Sequence, residues 1–203
     1  MELSQDPILE LCRQPLKNLE FTWIGGSHYD FNIHDRTPLG QLVRDAKTYR
    51  DAKTYKEDPG DIDCANRLAS YFVNVVRNSF ATPFSLSSVN LVLHVPSFPP
   101  KVPFNLPTIL AAKVAESFSW EDGSSQFFKN RKTTEAKLGS KEDVSDAYSY
   151  SGTLAGCNVL IVDDLYFTGG TLNTLAGILK LSGASHIYGL CATKVVRGQR
   201  SRG

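Results

Sequence analysis

The sequence feature that most constrains the fold is an apolar run followed by two acids and a glycine-rich turn. The apolar residues Val159 to Val162 favour a fully buried strand, which is typical of a parallel sheet. Asp163 and Asp164 come next, and after a short linker the residues from Thr168 to Thr171 open a helix predicted to end at Leu181. A buried strand that leads through a tight turn into a helix is the building unit of parallel α/β sheets. The stretch therefore predicts an α/β domain.

Apolar periodicity elsewhere supports the same architecture. Further buried strands are predicted at Leu91–Val95 and His186–Ala192. Apolar residues recur three and four positions apart in three further helical segments. The first begins at Pro38, has an apolar face that reaches Tyr49 and is ended by Pro59-Gly60, and the others are Asp61–Phe80 and Thr108–Phe118. Strands that alternate with helices indicate a mostly parallel central sheet flanked by helices, and such sheets bind ligands beyond the carboxyl ends of their strands.

The ends of the chain differ from this core. Phe21–Ile24 and Tyr29–Ile33 favour two short strands around a Gly-rich turn. We therefore predict an N-terminal hairpin or hood element over residues 1–36, a core domain over residues 37–194, and a disordered basic tail over residues 195–203.

Composition excludes several classes of protein. With 203 residues and a net charge of +1, the chain as a whole is neither a polybasic nucleic-acid coat nor an acidic disordered segment. No apolar run approaches the roughly 20 residues that span a bilayer, and no basic and apolar secretory start is present, so we expect a cytoplasmic protein without membrane association. The cysteines are too far apart for a zinc or redox pair and are expected to be free thiols: Cys12, Cys64, Cys157 and Cys191.

The residues after the strand at Val162 point to a phosphorylated sugar. Glycines let backbone N–H groups converge, and a helix N-terminus adds partial positive charge, so Thr168 to Thr171 are predicted to bind phosphate. Asp163 and Asp164 would repel phosphate, and are instead suited to accept hydrogen bonds from sugar hydroxyls or to hold Mg²⁺ through water. The residues alone thus predict a ribose 5′-phosphate or a magnesium phosphate as ligand.

This stretch resembles the 5-phosphoribosyl-1-pyrophosphate (PRPP) signature of type I phosphoribosyltransferases, in which an apolar strand, two acids and a linker precede Thr-Gly-x-Thr. The resemblance implies that Asp163 and Asp164 bind the ribose hydroxyls. It implies that the 5′-phosphate is bound by Phe167, Thr168, Gly169, Gly170 and Thr171.

Weaker matches extend the resemblance to the ComF-like branch of this superfamily. Thr37 to Lys47 is similar to the branch's amphipathic stretch ending in lysine, Phe104-Asn105 to its first loop, and Asn130 to Leu138 to its mobile loop. The cysteine-rich zinc module usual in that branch is absent from this sequence, where Cys12 stands alone near the amino end.

The resemblance also implies a reaction, in which pyrophosphate on ribose C1 is replaced through an oxocarbenium-like transition state. Pyrophosphate needs charge neutralisation to leave, which implies Mg²⁺ and cationic donors. The candidate pyrophosphate loop contains Ser97, Phe98 and Lys101. The polar segment from Glu121 to Tyr150 is predicted to be a long loop. Within it, residues 128–140 carry further cations and are the candidate lid over the site. The candidate catalytic residues are Asp163, Asp164, Lys101, Arg131 and Lys132.

The leading hypothesis is a phosphoribosyltransferase that binds PRPP or a nucleoside 5′-monophosphate and acts on an unidentified, nucleobase-like acceptor. A non-catalytic PRPP- or nucleotide-sensing accessory protein of ComF type, linked to DNA uptake or nucleotide metabolism, is the alternative. A phospho-receiver domain also has paired aspartates after a strand, but near its amino end, whereas Asp163 lies in the last quarter of this chain. A homodimer and nucleic-acid contacts by the basic tail stay open.

Other features have simpler interpretations. Lys101 and the cations from Lys129 to Lys132 are otherwise solvated loop residues, His28 a surface group, and His94 a histidine at the rim of the core. The tandem repeat of Asp45–Arg50 in the next six residues is interpreted as a local duplication in a surface helix, or as a partner surface.

Overall fold

A six-stranded sheet lies at the centre of the fold. The computed structural model describes residues 10–11, 16–30, 35–47, 49–50, 57–58, 60–78, 89–98, 104–131 and 145–195. The sheet has the order β1–β2–β12–β11–β7–β8, and its strands are β1 (Glu10–Leu11), β2 (Phe21–Ile24), β7 (Leu91–His94), β8 (Glu121–Asp122), β11 (Asn158–Tyr166) and β12 (His186–Lys194). All neighbours are parallel except β1 and β2, so the predicted mostly parallel α/β architecture is confirmed.

Four helices cover the two faces of this sheet. They are α1 (Pro38–Ala46), α2 (Ile62–Asn78), α3 (Leu106–Phe118) and α4 (Gly170–Leu181). Apolar residues of α1, α2 and α3 form one buried cluster with Leu160 and Val162 of β11. Residues of α4 form a second cluster with Val159 and Ile161, on the opposite face. The four helices lie close to their predicted positions because each buries a stripe of apolar residues against the sheet.

Strand β11 is longer than the apolar run that predicts it. It extends from Asn158 to Tyr166 and therefore passes through Asp163 and Asp164 rather than ending before them. The reason is β12, which continues to Lys194 and pairs with Tyr166. Acids that seemed to follow the strand are thus residues of the strand, with the alternating side-chain directions that a strand imposes.

The amino-terminal residues do not form the predicted hairpin. Phe21–Ile24 pairs in parallel with β12, and Ile24 is fully buried in the core. Of the second predicted strand, Tyr29–Asp30 forms β3, which pairs with β4 (Asp35–Arg36), and residues 31–33 lie outside the described residues. An apolar segment gains more from a place inside a large sheet than from an isolated two-stranded ribbon, which is marginal in water.

Helix α1 begins as predicted and ends early. The Thr37 side chain accepts a hydrogen bond from the Gly40 amide, with Pro38 in the first turn, as the sequence indicates. The helix stops at Ala46, well before the predicted end at Pro59-Gly60, and β5 (Tyr49–Arg50) instead pairs with β6 (Glu57–Asp58). The interpretation of the tandem repeat as part of one helix is therefore wrong at Tyr49–Arg50, and residues 51–56 lie outside the described part of the chain.

The polar segment predicted to be a long loop contains an antiparallel ribbon. Strand β9 (Phe127–Lys129) pairs with β10 (Tyr148–Tyr150), and Phe127 and Tyr148 are buried on the α4 face. The segment is polar in composition, but the apolar side chains of Phe127 and Tyr148 bury against the core and hold the ribbon there. Residues 132–144, which hold most of the predicted lid, lie outside the described residues.

None of the helices in the described part of the chain is long and apolar enough to cross a membrane. Cys64 and Cys157 are free thiols and Cys191 is a buried thiol, while Cys12 lies outside the described residues. The basic tail also lies outside them from residue 196.

Candidate functional site

The turn between β11 and α4 has the backbone of an anion-binding loop. Gly169 adopts a φ of 75°, a left-handed conformation that favours glycine, and it is the N-cap of α4. A glycine cap offers no side-chain acceptor to the first N–H groups of the helix, which point out of its positive end. The Thr168 hydroxyl accepts a hydrogen bond of 3.4 Å from the Gly170 amide. The free helix end and the threonine together can bind an anion.

A pocket opens at this turn. Its empty volume is about 300 Å³, counting the solvent at its mouth. Asp163 lines it together with the run from Leu165 to Leu172. The structure therefore brings the first acid and the predicted phosphate loop, Phe167 to Thr171, to one pocket.

The amino-terminal segment supports this loop from behind. Asn18 donates from its side-chain amide to the Asn173 carbonyl and from its backbone to the Asn173 side chain, both at 3.0 Å. A side chain added at Gly169 would lie 2.7 Å from atoms of Leu16 and Tyr166. No signal in the sequence identifies Leu16 and Asn18 as neighbours of the loop, because the contact joins residues 155 positions apart.

The acid pair divides between the two faces of the sheet. Asp163 shares the side of Val159 and Ile161, which faces α4, and it lines the pocket. Asp164 shares the side of Val162, which faces α1, and only 7% of its side chain is exposed. The resemblance implies that both carboxylates bind the sugar, but in this structure only Asp163 lines the pocket.

Asp164 is held by a lysine that the site prediction missed. The Lys47 ammonium lies 2.7 Å from an Asp164 carboxylate oxygen. Lys47 is the C-cap of α1, and its backbone N–H donates to the Arg44 carbonyl. The sequence does show a lysine just after an amphipathic helix, which marks Lys47 as a residue at a helix end. It does not show that this helix end lies next to the strand that carries Asp164.

A histidine lies near this ion pair. His28 is half-buried rather than on the surface, and its Nδ1 lies 3.1 Å from the Thr193 hydroxyl. Burial lowers the pKa of His28, and the positive charges of Arg36 and Lys47 lower it further, against a smaller opposing effect of Asp164. The imidazole is therefore neutral at pH 7, and Lys47 carries the positive charge in contact with Asp164.

His94 ends strand β7 beside Val162, in the rim position predicted for it. Its backbone amide donates to the Ser124 hydroxyl, and its Nδ1 is buried without a hydrogen-bond partner. Burial lowers the pKa of His94, and the nearby Asp122 offsets only part of that effect. Both histidines are thus neutral in the folded protein.

We expect these two histidines to make stability depend on pH. Unfolding exposes imidazoles that take up protons near pH 6.5, whereas the folded protein resists protonation to lower pH. The free energy of unfolding should therefore fall as the pH is lowered from 7.5 to 5.5, which urea unfolding at the two pH values measures. His28→Gln and His94→Gln should each reduce this dependence, and His186→Gln, a change at an exposed histidine, is the control. An equal dependence in all four proteins would contradict the expectation.

The structure describes only some of the residues that the sequence analysis assigns to pyrophosphate binding. Ser97 is half-buried and 44% of Phe98 is exposed, just after β7, while Lys101 lies outside the described residues. Arg131 donates to both carboxylate oxygens of Asp146, at 3.1 and 2.7 Å, across the base of the predicted lid. Lys132 lies outside the described residues. The structure therefore pairs Arg131 with Asp146 at the end of the ribbon, and Arg131 is not among the residues that line the pocket.

The donor set suits a magnesium ion that arrives with a phosphate ligand. Within the described ranges, no three His, Cys, Asp or Glu side chains form a metal-binding group. One pocket carboxylate, Asp163, can contribute to the hydration shell of a Mg²⁺ whose other ligands are phosphate oxygens and water.

Several solved structures are similar to this fold. A purine phosphoribosyltransferase from Pyrococcus horikoshii Ot3 is 18% identical, with 64% of this chain and 73% of that chain covered and a TM-score of 0.40. The adenine phosphoribosyltransferase from Leishmania tarentolae is 11% identical, with 90% and 94% covered and a TM-score of 0.46. The glutamine PRPP amidotransferase from B. subtilis, complexed with ADP and GMP, is 15% identical with a TM-score of 0.48; the match covers 75% of this chain but only 30% of that enzyme.

No protein-family model and no curated protein sequence matches the chain. At these identities and TM-scores, the structural similarity does not assign the chain to any of these enzyme families.

Proposed function

We propose that the chain is a PRPP-utilising transferase that binds the ribose 5-phosphate part of PRPP in the pocket between β11 and α4. The observation that carries the proposal is that one carboxylate, Asp163, and the N-terminus of α4, where Gly169 supplies no side-chain cap, line a single pocket. A sugar phosphate needs both groups, since its hydroxyls require acceptors and its phosphate requires donors.

The 5′-phosphate would bind at the turn. Thr168 and Gly170 are exposed and Thr171 is half-buried, so the amides and hydroxyls of this turn are open to a ligand. The positive end of α4 favours the dianion. Phe167 and Gly169 contribute backbone to the same cradle, and the left-handed Gly169 sets its curvature.

The ribose would lie toward Asp163. Its carboxylate accepts the Asp164 amide at 2.8 Å, which orients it, and a carboxylate can accept several hydrogen bonds, including those from sugar hydroxyls. Asp164 is also predicted from the sequence to bind the ribose. In this proposal its backbone amide instead orients the Asp163 carboxylate.

The reaction would transfer the phosphoribosyl group to a nucleobase-like acceptor. The bond between ribose C1 and the pyrophosphate oxygen breaks, a bond from C1 to an acceptor nitrogen forms, and pyrophosphate leaves. Mg²⁺ bound with PRPP would supply charge neutralisation of the pyrophosphate. Ser97, Phe98, Lys101 and Lys132 are proposed to lie on the pyrophosphate side, while Arg131, through its ion pair with Asp146, would brace the base of the lid.

A PRPP-sensing accessory protein of ComF type is the second candidate. One observation favours it: the Arg131 guanidinium is engaged by Asp146 and does not line the pocket. A sensor needs the ribose 5-phosphate site but no machinery for the leaving group.

Titration calorimetry with PRPP and Mg²⁺ tests the shared site, with ribose 5-phosphate and a nucleoside 5′-monophosphate as comparison ligands. We expect all three to bind, because each carries the 5′-phosphate and ribose hydroxyls. Pyrophosphate release is then followed against a panel of nucleobases. Pyrophosphate release with any one base supports the transferase. No release with any base, while PRPP still binds, supports the sensor. If none of the three ligands binds, both functions are refuted.

A further inference from the structure

We propose that Lys47 is a positioning residue for the sugar phosphate site: it neutralises Asp164, so that Asp163 alone meets the sugar beside a phosphate pocket. This inference rests on the proposed function. It assigns different roles to two adjacent acids that the signature treats as a pair.

The first step is the geometry of β11. Because the strand continues to Tyr166, consecutive side chains point to opposite faces of the sheet. Asp163 lines the pocket on the α4 face. Asp164 is buried on the α1 face, where 7% of its side chain is exposed. A sugar bound in the pocket therefore meets the carboxylate of Asp163 but not that of Asp164.

The second step is charge. Two carboxylates on consecutive residues would make the edge of the pocket strongly negative and would oppose a phosphate dianion. Lys47 removes one of these charges by a contact of 2.7 Å with Asp164. His28 is neutral at pH 7 because burial lowers its pKa, and Arg36 is engaged with Tyr29 through its guanidinium. The neutralising contact with Asp164 is therefore the one made by Lys47.

The third step is mechanical. The Asp164 amide donates to the Asp163 carboxylate at 2.8 Å, so the peptide that carries Asp164 also orients Asp163. Lys47 lies at the C-cap of α1, whose apolar face is packed against the core. The ion pair thus fixes this peptide to a helix on the far side of the sheet.

A double-mutant cycle separates these roles. The variants are Lys47→Met, Asp164→Asn and the double variant, and the control is Lys113→Met, which breaks an exposed ion pair of the same 2.7 Å length with Glu116. Binding of PRPP with Mg²⁺ is measured by calorimetry, and folding by thermal unfolding.

We expect Lys47→Met to weaken PRPP binding by about tenfold, because an uncompensated negative charge then lies behind the pocket, at the residue next to Asp163. Asp164→Asn should keep binding within about threefold of wild type, and the double variant should recover to the same range, since neither leaves an unpaired negative charge. Lys113→Met should leave binding unchanged. A merely structural role for Lys47 would give the same recovery in thermal unfolding, so the affinities are compared only at a temperature at which every variant is folded.

Three results would overturn the proposal: unchanged or tighter binding in Lys47→Met, a double variant as weak as Lys47→Met, or a loss in Asp164→Asn as large as that of a matching change at Asp163. If Lys47→Met does not fold, Asp164→Asn and the double variant still decide whether Asp164 is a sugar ligand. If wild type binds no PRPP, the proposed function fails by itself. The ion pair is then tested by unfolding, where the double variant should be more stable than Lys47→Met.

Discussion

Alanine in place of Gly169 is expected to weaken PRPP binding by at least about tenfold, while the same change at Gly156 leaves binding unchanged. Both glycines adopt left-handed φ values, 75° and 78°. An alanine there costs roughly 1–2 kcal/mol of strain. The two positions differ in their surroundings, since a side chain at Gly156 meets nothing within 4 Å and one at Gly169 lies 2.7 Å from Leu16 and Tyr166.

The loss of binding follows from the shape of the loop. Relief of the strain at position 169 requires a change in φ, and this change redirects the amides that would meet the 5′-phosphate. Displacement of Leu16 and Tyr166 would move the loop instead, because both contact it. Calorimetry with PRPP and Mg²⁺ measures the affinity, and urea unfolding measures the stability of both variants. Equal losses of affinity in the two variants would refute the role of the loop, since both carry the same backbone strain.

Replacement of Asp163 by alanine is expected to weaken PRPP binding by about 10- to 100-fold. A hydrogen bond to a charged group contributes about 1.5–3 kcal/mol, which corresponds to this range. The loss should also appear with ribose 5-phosphate, because the proposed contact is to the sugar. It should not appear with inorganic phosphate, which has no sugar hydroxyls for Asp163 to accept from.

Asp122→Ala is the matched control. Asp122 lies in the same sheet, is exposed, and also accepts a backbone amide, that of Ser124 at 3.0 Å, but it does not line the pocket. Both variants therefore lose a carboxylate that accepts a hydrogen bond from a nearby backbone amide. Only Asp163→Ala also loses a hydrogen-bond acceptor in the pocket. If Asp122→Ala weakens binding equally, the effect is one of local order and the sugar contact is refuted.

The sequence predicts the helices and strands of this fold, and the loop that lines the pocket, better than it predicts which strands are neighbours in the sheet. The apolar runs at Val159–Val162 and Leu91–Val95 predict two strands that prove to be neighbours, and the glycine-rich turn predicts the loop that lines the pocket, because these signals are local. Partners of short segments are not local. Phe21–Ile24 is a strand as predicted, but only the position of β12 explains why it joins the central sheet.

The division of the acid pair shows a second limit. Whether Asp164 follows the strand or belongs to it depends on how far β12 continues, and β12 extends to Lys194, beyond its apolar run. The contact with Lys47 depends further on where α1 ends. Neither quantity is encoded in the residues around the acids, so the motif predicts the location of the site but not the separate roles of its two carboxylates.

The position of β12 also has a consequence for synthesis on the ribosome. This strand is the last of the described strands, yet it lies between β2 and β11 in the sheet. Until it emerges, the part of the chain that the structure describes offers β2 only the two residues of β1 as a neighbour, and the neighbour of Asp163 in β12, Cys191, is missing. Long-range pairings of this kind form late. Nascent chains halted before His186 should therefore be sensitive to protease at β2 and bind no sugar phosphate, and both properties should change together once Lys194 has left the exit tunnel.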